Sequence, residues 1–464
     1  MTNLAYLSAT ELAPLLKSKQ LSPVELTKKL LNRIDKIDPT IRSYITPLHD
    51  LALAQAKKAE KDIMQGHYKG PLHGIPIGIK DNFYTKGIRT TAGSTLFKDF
   101  VPNKSATAVD KLLAAGVIML GKLNMHELAL GSSGTNLTFG TTRNPWDLRY
   151  MPGGSSGGSS AALAAGLATL ATGTDTFGSI RLPAAMCGVY GLKPTYGLVS
   201  TYGVFPSAWS LDHAGPMARS VSDLAFMLNG MAGYDPNDPT SLNTPIPNYT
   251  TDLTKGMRGI KIGIPMYYLR GLDSDVEKLF TNALSVLNRL GAEIIEINIP
   301  ELTMSTFAGY SIVGSEASAF HYEWLKTRPT NYAADNRIFL LSGTLTNAPK
   351  YVKAQQSRRK MVEAFHNSFN RVDLLLGPTI PFTTPAFTQN WVEQNLAVIR
   401  RSLPFTVPAT LTGVPTLSVP MGLDRSGLPI GMQFFGNHLR EKLLLQAGFA
   451  WEHVNPFQYK LRID

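Results

Sequence analysis

Gly153-Gly154-Ser155-Ser156-Gly157-Gly158 is the stretch on which the reading of this chain turns. It satisfies Gly-x-Ser-x-Gly twice, centred on Ser155 and on Ser156, the pattern of a nucleophile elbow. An elbow must follow a strand and open a helix. The residues ahead of it, Asn144-Pro145-Trp146-Asp147-Leu148-Arg149-Tyr150-Met151-Pro152, read as loop, so the first requirement fails. The second is met by an Ala-rich helix expected from Ser159 to Ala171. Residues 131–160 are mostly Gly, Ser, Thr, Asn and Pro. A loop that long inside a compact fold is usually functional.

Upstream, Val117-Ile118-Met119-Leu120-Gly121 reads as a buried strand after a helix at 106–115. Ile77-Gly78-Ile79-Lys80-Asp81 is a short apolar run that ends in charge. The N-terminus predicts helices. Ser8-Ala9-Thr10-Glu11 is a capping box, and Ser22-Pro23-Val24-Glu25 is a second with Pro at the first helical position. Leu26, Leu30, Leu31 and Ile34 recur on one face, and residues 48–65 continue as an Ala- and Lys-rich helix. Downstream, a polar connection at 233–258 leads into a βαβ unit. Ile260 to Ile264 is its first strand, Ser274 to Leu290 its helix with Gly291 as C-cap, and Glu293 to Ile299 its second strand. Val372 to Pro378 and Thr416 to Val419 complete the buried strands. The pattern is α/β with a helical N-terminal arm.

Composition narrows the class. The 464 residues are 44% hydrophobic and 17% charged, against a typical ~25% charged, which excludes a disordered chain or a long coiled coil. The net charge of +11 raises a nucleic-acid or anionic-membrane partner. The excess is spread along the chain, and its densest runs, Arg358-Arg359-Lys360 and Arg400-Arg401, carry no interleaved aromatics. They read as solvated helix faces. The single cysteine, Cys187, excludes an intramolecular disulfide framework, and its small apolar neighbours point to a buried, inert thiol. The first residues show no basic-then-apolar leader, and Ala161 to Ala171 falls far short of the ~20 residues that cross a bilayer. A cytoplasmic protein without membrane contact is the expectation.

Two further motifs fail. Gly116 to Lys122 spells Gly-x4-Gly-Lys, but Leu123 stands where Ser or Thr would hold magnesium, and the interior is a strand. Ser357-Arg358-Arg359-Lys360 matches Ser-x-x-Lys without its companion motifs. The nine histidines include no His-x-x-x-His pair, so neither a metal nor another cofactor is expected.

What remains is a set of three segments: Gly74 to Asp81, Gly153 to Gly158, and Thr172-Gly173-Thr174-Asp175-Thr176-Phe177-Gly178-Ser179-Ile180-Arg181. Lys80 precedes Ser155 by 75 residues, and Ser155 precedes Ser179 by 24. With these motifs and intervals the chain resembles the amidase signature family, and the likeness runs on through Gly413 to Pro420 and Leu428 to Gln433. The resemblance implies an α/β amidase-signature fold: a large, mixed, twisted central sheet covered by helices on both faces. It implies one amidase domain over 1–464, with a helical arm at 1–70, a signature core at 71–232, and the rest of the core with substrate-pocket elements at 259–464. By resemblance Ser179 is the nucleophile, Ser155 the bridging serine and Lys80 the base, with a cis peptide near Gly154-Ser155. The backbone amides of Thr176, Phe177, Gly178 and Ser179 match the oxyanion-hole segment. Asp175 and Arg181 match a structural brace, Gly131, Ser132 and Ser133 a loop close to substrate, and Ser156 a support of the Gly/Ser loop.

The residue types suit that chemistry. A serine hydroxyl is a poor nucleophile until its proton is removed. Lysine removes it only when neutral, which requires a pKa well below ~10.4. Ile77 and Ile79 suit such a dry site, and Asp81 is expected to point away from it. Phe177 departs from the family, which often has Gly there. The backbone donor survives the change. The ring either packs into the core behind the loop or narrows the acyl pocket.

Within the family, the A subunit of the tRNA-dependent amidotransferase is the nearer alternative, and Asn144-Pro145-Trp146, Gly191 to Gly197 and Arg337 are compatible with it. Phe177 counts against it, as does an apolar residue, at or near Leu403, where the resemblance places a glutamine-binding aspartate. The favoured expectation is a stand-alone amidase acting on a small-molecule amide, ester or carbamate, compatible with a homodimer. Nucleic acid enters only with the amidotransferase reading. A non-catalytic binding module is the remaining class, disfavoured because Lys80, Ser155 and Ser179 are all present.

Overall fold

The computed structural model describes residues 4–459 and 461. Helix α1 (Ala9–Lys17) begins with the expected box: Ser8 Oγ accepts from the Glu11 amide and Glu11 reaches back to the Ser8 amide. Helix α2 (Pro23–Ile41) is capped differently from expectation. Ser22 Oγ accepts from the Val24 and Glu25 amides, but its own proton goes to Glu60 of α3 (His49–Met64) instead of Glu25 closing the box. Between these helices lies β1 (Tyr44–Pro47). Then come β2 (Pro76–Lys80), α4 (Thr107–Ala114) and β3 (Ile118–Leu123).

The middle of the chain holds α5 (Gly157–Ala164), β4 (Leu170–Asp175), α6 (Arg181–Cys187), β5 (Tyr190–Lys193), β6 (His213–Ala218) and α7 (Val221–Met231). The helix expected to reach Ala171 stops at Ala164. Gly166 turns the chain at φ +64, and residues 170–175 become a central strand. Small apolar residues fit a buried strand as well as a buried helix, so composition alone misplaces this boundary.

The βαβ unit forms as β7 (Lys261–Pro265), α8 (Ser274–Arg289) and β8 (Glu293–Ile297). A helical layer follows: α9 (Ser305–Thr327), α10 (Ala334–Thr344) and α11 (Ala348–Phe369). The chain closes with β9 (Leu374–Pro378), α12 (Trp391–Thr412), β10 (Thr416–Leu423), β11 (Pro429–Gly436) and α13 (Glu441–Val454).

Among the described residues, eleven strands form one mixed sheet in the order β1-β3-β2-β4-β6-β5-β10-β11-β9-β7-β8. β2 runs parallel to both β3 and β4, with Gly78 opposite Ala171. The carboxyl ends of β2 and β4 therefore open on the same edge, the place where open α/β sheets bind ligands. Two large apolar clusters flank the sheet. One gathers the N-terminal helices, α7, α8 and α13. The other gathers α9 to α12 and takes in Phe177.

Candidate active site

Lys80 is the last residue of β2 and is fully buried. Its ammonium nitrogen lies 2.8 Å from Ser155 Oγ, 2.9 Å from Ser156 Oγ and 2.7 Å from Thr174 Oγ1. Thr174 comes from β4, and its hydroxyl also accepts from Asn82 Nδ2 at 3.1 Å. Among the described residues, no carboxylate touches Lys80 Nζ. Burial pulls its pKa down to about 7, although the more distant Asp175 and Asp212 push the other way. A lysine poised there can exchange a proton near neutral pH. Asp81 turns away, as expected. It pairs with Lys122 at 3.3 Å and bonds the Thr91 hydroxyl and amide.

Ser155 stands on a cis Gly154-Ser155 peptide directly ahead of α5. Its carbonyl accepts from the His126 amide at 3.1 Å. The next amide, Ser156, donates to the Ser179 carbonyl at 3.2 Å, which ties the Gly/Ser loop to the 175–181 segment. Lys80, Ser155 and Ser179 thus share one buried neighbourhood, though Ser179 is not among the hydroxyls on Lys80.

The 175–181 segment is held from behind. Asp175 takes a forked contact from Arg181 through Nε and Nη2, each at 3.0 Å. Arg181 continues to Gln433 Oε1 and the Thr406 carbonyl, both at 2.8 Å. The expected brace is present and wholly buried. Burial raises the Asp175 carboxyl, but Arg181, with Lys193 and His213, outweighs it and holds the group below its ordinary range. Asp175 also accepts from the Gly178 amide at 2.8 Å and the Ile180 amide at 3.2 Å. This corrects the expected oxyanion segment: the Gly178 donor is spent on Asp175. Among the described residues, the amides of Thr176, Phe177 and Ser179 have no such competitor. Gly178 itself has φ +111, and a Cβ there would meet Thr406 at 2.6 Å.

In front of Ser179 lies a narrow cavity of only about 20 Å³. Gly131, Ser132, Thr176, Phe177 and Ser179 line its floor, and Val313, Phe339 and Ile399 supply walls from α9, α10 and α12. Phe177 therefore faces the cavity, with edge-on contacts to Tyr310 and Phe339 at centroid distances of 6.0 and 6.3 Å. Of the Gly131–Ser133 loop, Gly131 and Ser132 line this cavity, and the Ser133 amide is held by Asn395. Leu403, buried on α12, carries no charge to the site.

Sequence reasoning missed several residues here. Thr174 and Asp212 are among them. Asp212 accepts from the Thr176 hydroxyl at 2.5 Å and is pushed by burial up to about 6, against its hydrogen bonds from Thr176, Ser207 and Ala208. Thr174 carried a signal, being two residues from the Thr172 that bonds the Lys80 amide on the same strand face. Arg358, read as part of a solvated face, instead donates to the Leu411 and Ser210 carbonyls at 2.8 and 3.0 Å, while Arg359 and Lys360 are exposed. Cys187 is buried, and burial raises its thiol to about 12. Among the described residues there is no group of three or more His, Cys, Asp or Glu placed to hold a metal, and no helix is long and apolar enough to cross a membrane.

Residues 25–445 match the family described as Amidase. The A subunit of the glutamyl-tRNA(Gln) amidotransferase from Geobacter sp. (strain M21) is 42% identical over 480 residues, covering 98% of each chain. The native peptide amidase of Stenotrophomonas maltophilia superposes with a TM-score of 0.86 at 32% identity, covering 98% of each chain. A protein from a vestigial complex bearing on the evolutionary origins of an s-triazine catabolic enzyme superposes with a TM-score of 0.91 at 31% identity, covering 99% of this chain and 100% of that one.

Proposed function

This chain belongs to the amidase family, and from that premise we propose that it cleaves the carbon–nitrogen bond of a linear amide through an acyl-enzyme on Ser179. The observation that carries the reading is the buried Lys80 amine among three hydroxyls. A neutral amine has two protons to donate and one lone pair. It donates to Thr174 and Ser156 and accepts from Ser155. Ser155, relieved of its proton, takes one from Ser179 as Ser179 Oγ attacks the substrate carbonyl. The amides of Phe177 and Ser179 receive the developing oxyanion, an interaction commonly worth about 3 kcal/mol per donor. The relay then reverses, the leaving amine takes the proton, and water repeats the cycle to free the acid. Asp175 and Arg181 hold the segment and touch no reacting atom.

At the level of substrate, the relatives favour a reading other than the stand-alone amidase expected from the sequence. Identity of 42% along nearly the whole of both chains supports an A-type subunit that hydrolyses glutamine and passes ammonia to partner subunits working on glutamyl-tRNA. Arg337, partly exposed on α10, is compatible with that subunit and has a side chain with no hydrogen bond or ion pair among the described residues. A specific observation keeps the stand-alone reading alive as the second. The cavity walls are Val313, Phe339 and Ile399, Phe177 intrudes on its floor, and Leu403 offers no counter-charge to an α-ammonium group. The two separate in one assay: ammonia release by the purified chain from glutamine, butyramide and an anilide. Turnover of glutamine above the simple amides supports the subunit reading. Turnover of the apolar amides with glutamine inert supports the stand-alone enzyme, and no turnover of any amide, alone or with partner subunits, contradicts both.

A further inference from the structure

Behind the cavity lies a buried polar triangle that the proposed chemistry does not use. His126 Nε2 and Asp335 Oδ2 are 2.9 Å apart, and Asn395 Nδ2 donates to the same Asp335 oxygen at 2.8 Å. Asn395 Oδ1 accepts the amides of Ser132 and Ser133 at 2.9 and 3.2 Å. His126, Asp335 and Asn395 are each 1% exposed. Buried polar groups of this kind are costly unless satisfied, so a completed network fixes the relative position of the elements it joins.

Three elements meet here. The His126 amide holds the Ser155 carbonyl, and its ring fills the space beneath Gly131, where a Cβ would come within 2.1 Å of it. Asp335 lies in the first turn of α10, and Asn395 lies on α12. Phe339 follows Asp335 by four residues, and Ile399 follows Asn395 by four. Residues four apart lie on one helix face, a single turn away. Each anchor therefore sits one turn below a wall residue of the cavity. Glu127 adds a second clasp on α10, accepting from the Ala333 amide and from Asn336 Nδ2 at 2.8 and 3.0 Å.

We propose that His126, Asp335 and Asn395 are positioning residues that set the width of the acyl cavity by clamping Phe339 and Ile399 against the Gly131–Ser133 floor, and so limit the length of the acyl group that Ser179 accepts. The proposal rests on the acyl-enzyme reading above. It concerns which acyl group is accepted, not how the proton moves. The clamp differs from ordinary core packing because it joins two walls to one floor loop through a single carboxylate.

The test uses p-nitrophenyl acetate, butyrate and hexanoate with the full chain, comparing wild type, Asn395→Ala and the isosteric Asp335→Asn. Leu417→Ala, in the β10 core away from the network, serves as a stability control. The expected result is a roughly 10-fold flattening of the kcat/KM ratio between butyrate and hexanoate in both clamp variants, carried by KM with kcat for acetate within about 3-fold. The control should lose at least as much Tm and keep the wild-type ratio. Wild-type ratios in the folded clamp variants overturn the proposal, as does a control that flattens the ratio equally. Should Asn395→Ala not fold, Asp335→Asn decides by the same ratio. A fluorophosphonate adduct on wild-type Ser179 with unchanged ratios sinks the clamp alone, whereas absence of any adduct on Ser179 sinks the acyl-enzyme reading itself.

Discussion

The floor of the cavity and its walls are built from different kinds of chain. The floor, with Lys80 beneath it, comes from the ends of β2 and β4 and from the loops at 131–133, 153–156 and 176–179. These loops are mostly small, uncharged residues, almost all buried. Lys80 and Thr174 are near neighbours through two parallel strands, and Ser155 and Ser156 join them from the loop ahead of α5. The walls come from α9, α10 and α12, whose Val313, Phe339 and Ile399 lie more than 130 residues beyond Ser179. Those helices reach the site only through tertiary contacts, and α10 leaves Ile338 and Leu341 exposed on its other side. Chemistry here is thus a local property of the sheet edge, and selectivity a property of long-range packing. A floor substitution should strike kcat across all substrates, and a wall substitution should redistribute substrates.

The largest effect should come from the floor. Ser179→Ala and Lys80→Met should each lower kcat about 10⁴-fold for every substrate, with the folded state retained in circular dichroism. A substrate-dependent loss would blur the division between floor and walls. Next is the brace under the floor. Arg181→Met leaves Asp175 charged and buried without its ion-pair partner, held only by the Gly178 and Ile180 amides, which should cost about 3 kcal/mol in denaturant unfolding. The pH profile follows. Lys80 acts as a base only when neutral, and its pKa is lowered to about 7, so kcat/KM should fall up to 10-fold per unit as pH drops below about 7 and level off above it. A limb at pH 10, where an ordinary lysine titrates, would remove Lys80 from the base role. The smallest effect belongs to the boundary residue. Phe177→Gly keeps a backbone donor and enlarges the cavity, so it should shift acyl preference about 10-fold with little change in Tm. Unchanged preference with a lowered Tm would make Phe177 a core residue.

The same division explains what the sequence made legible. Lys80, Ser155, Ser179 and the Asp175–Arg181 pair were legible through the family resemblance that short motifs carry, and the structure sets Lys80 against Ser155 and Arg181 against Asp175. The strand character of β4 was not, since Leu170 to Asp175 has the small-residue texture of the helix before it. The loss of the Gly178 donor was invisible as well: Asp175 was read only as a partner of Arg181, while its oxygens also collect the 178 and 180 amides. Lys122 looked like part of a failed phosphate loop and is instead the buried partner of Asp81, lowered by burial to about 8 against that carboxylate. The walls and their anchors lie furthest from reading. Asp335 and His126 are separated by 209 residues, and neither sits in a motif.

The most direct test of the account is the site of covalent capture. The full chain is incubated with a small alkyl fluorophosphonate, digested and mapped by mass spectrometry at several pH values. The account predicts one adduct, on Ser179, absent in Ser179→Ala, slowed at least 100-fold in Lys80→Met, and forming faster as pH rises through about 7. An adduct on Ser155, on Ser156 or elsewhere, or a Ser179 adduct that forms as fast without Lys80, would contradict it.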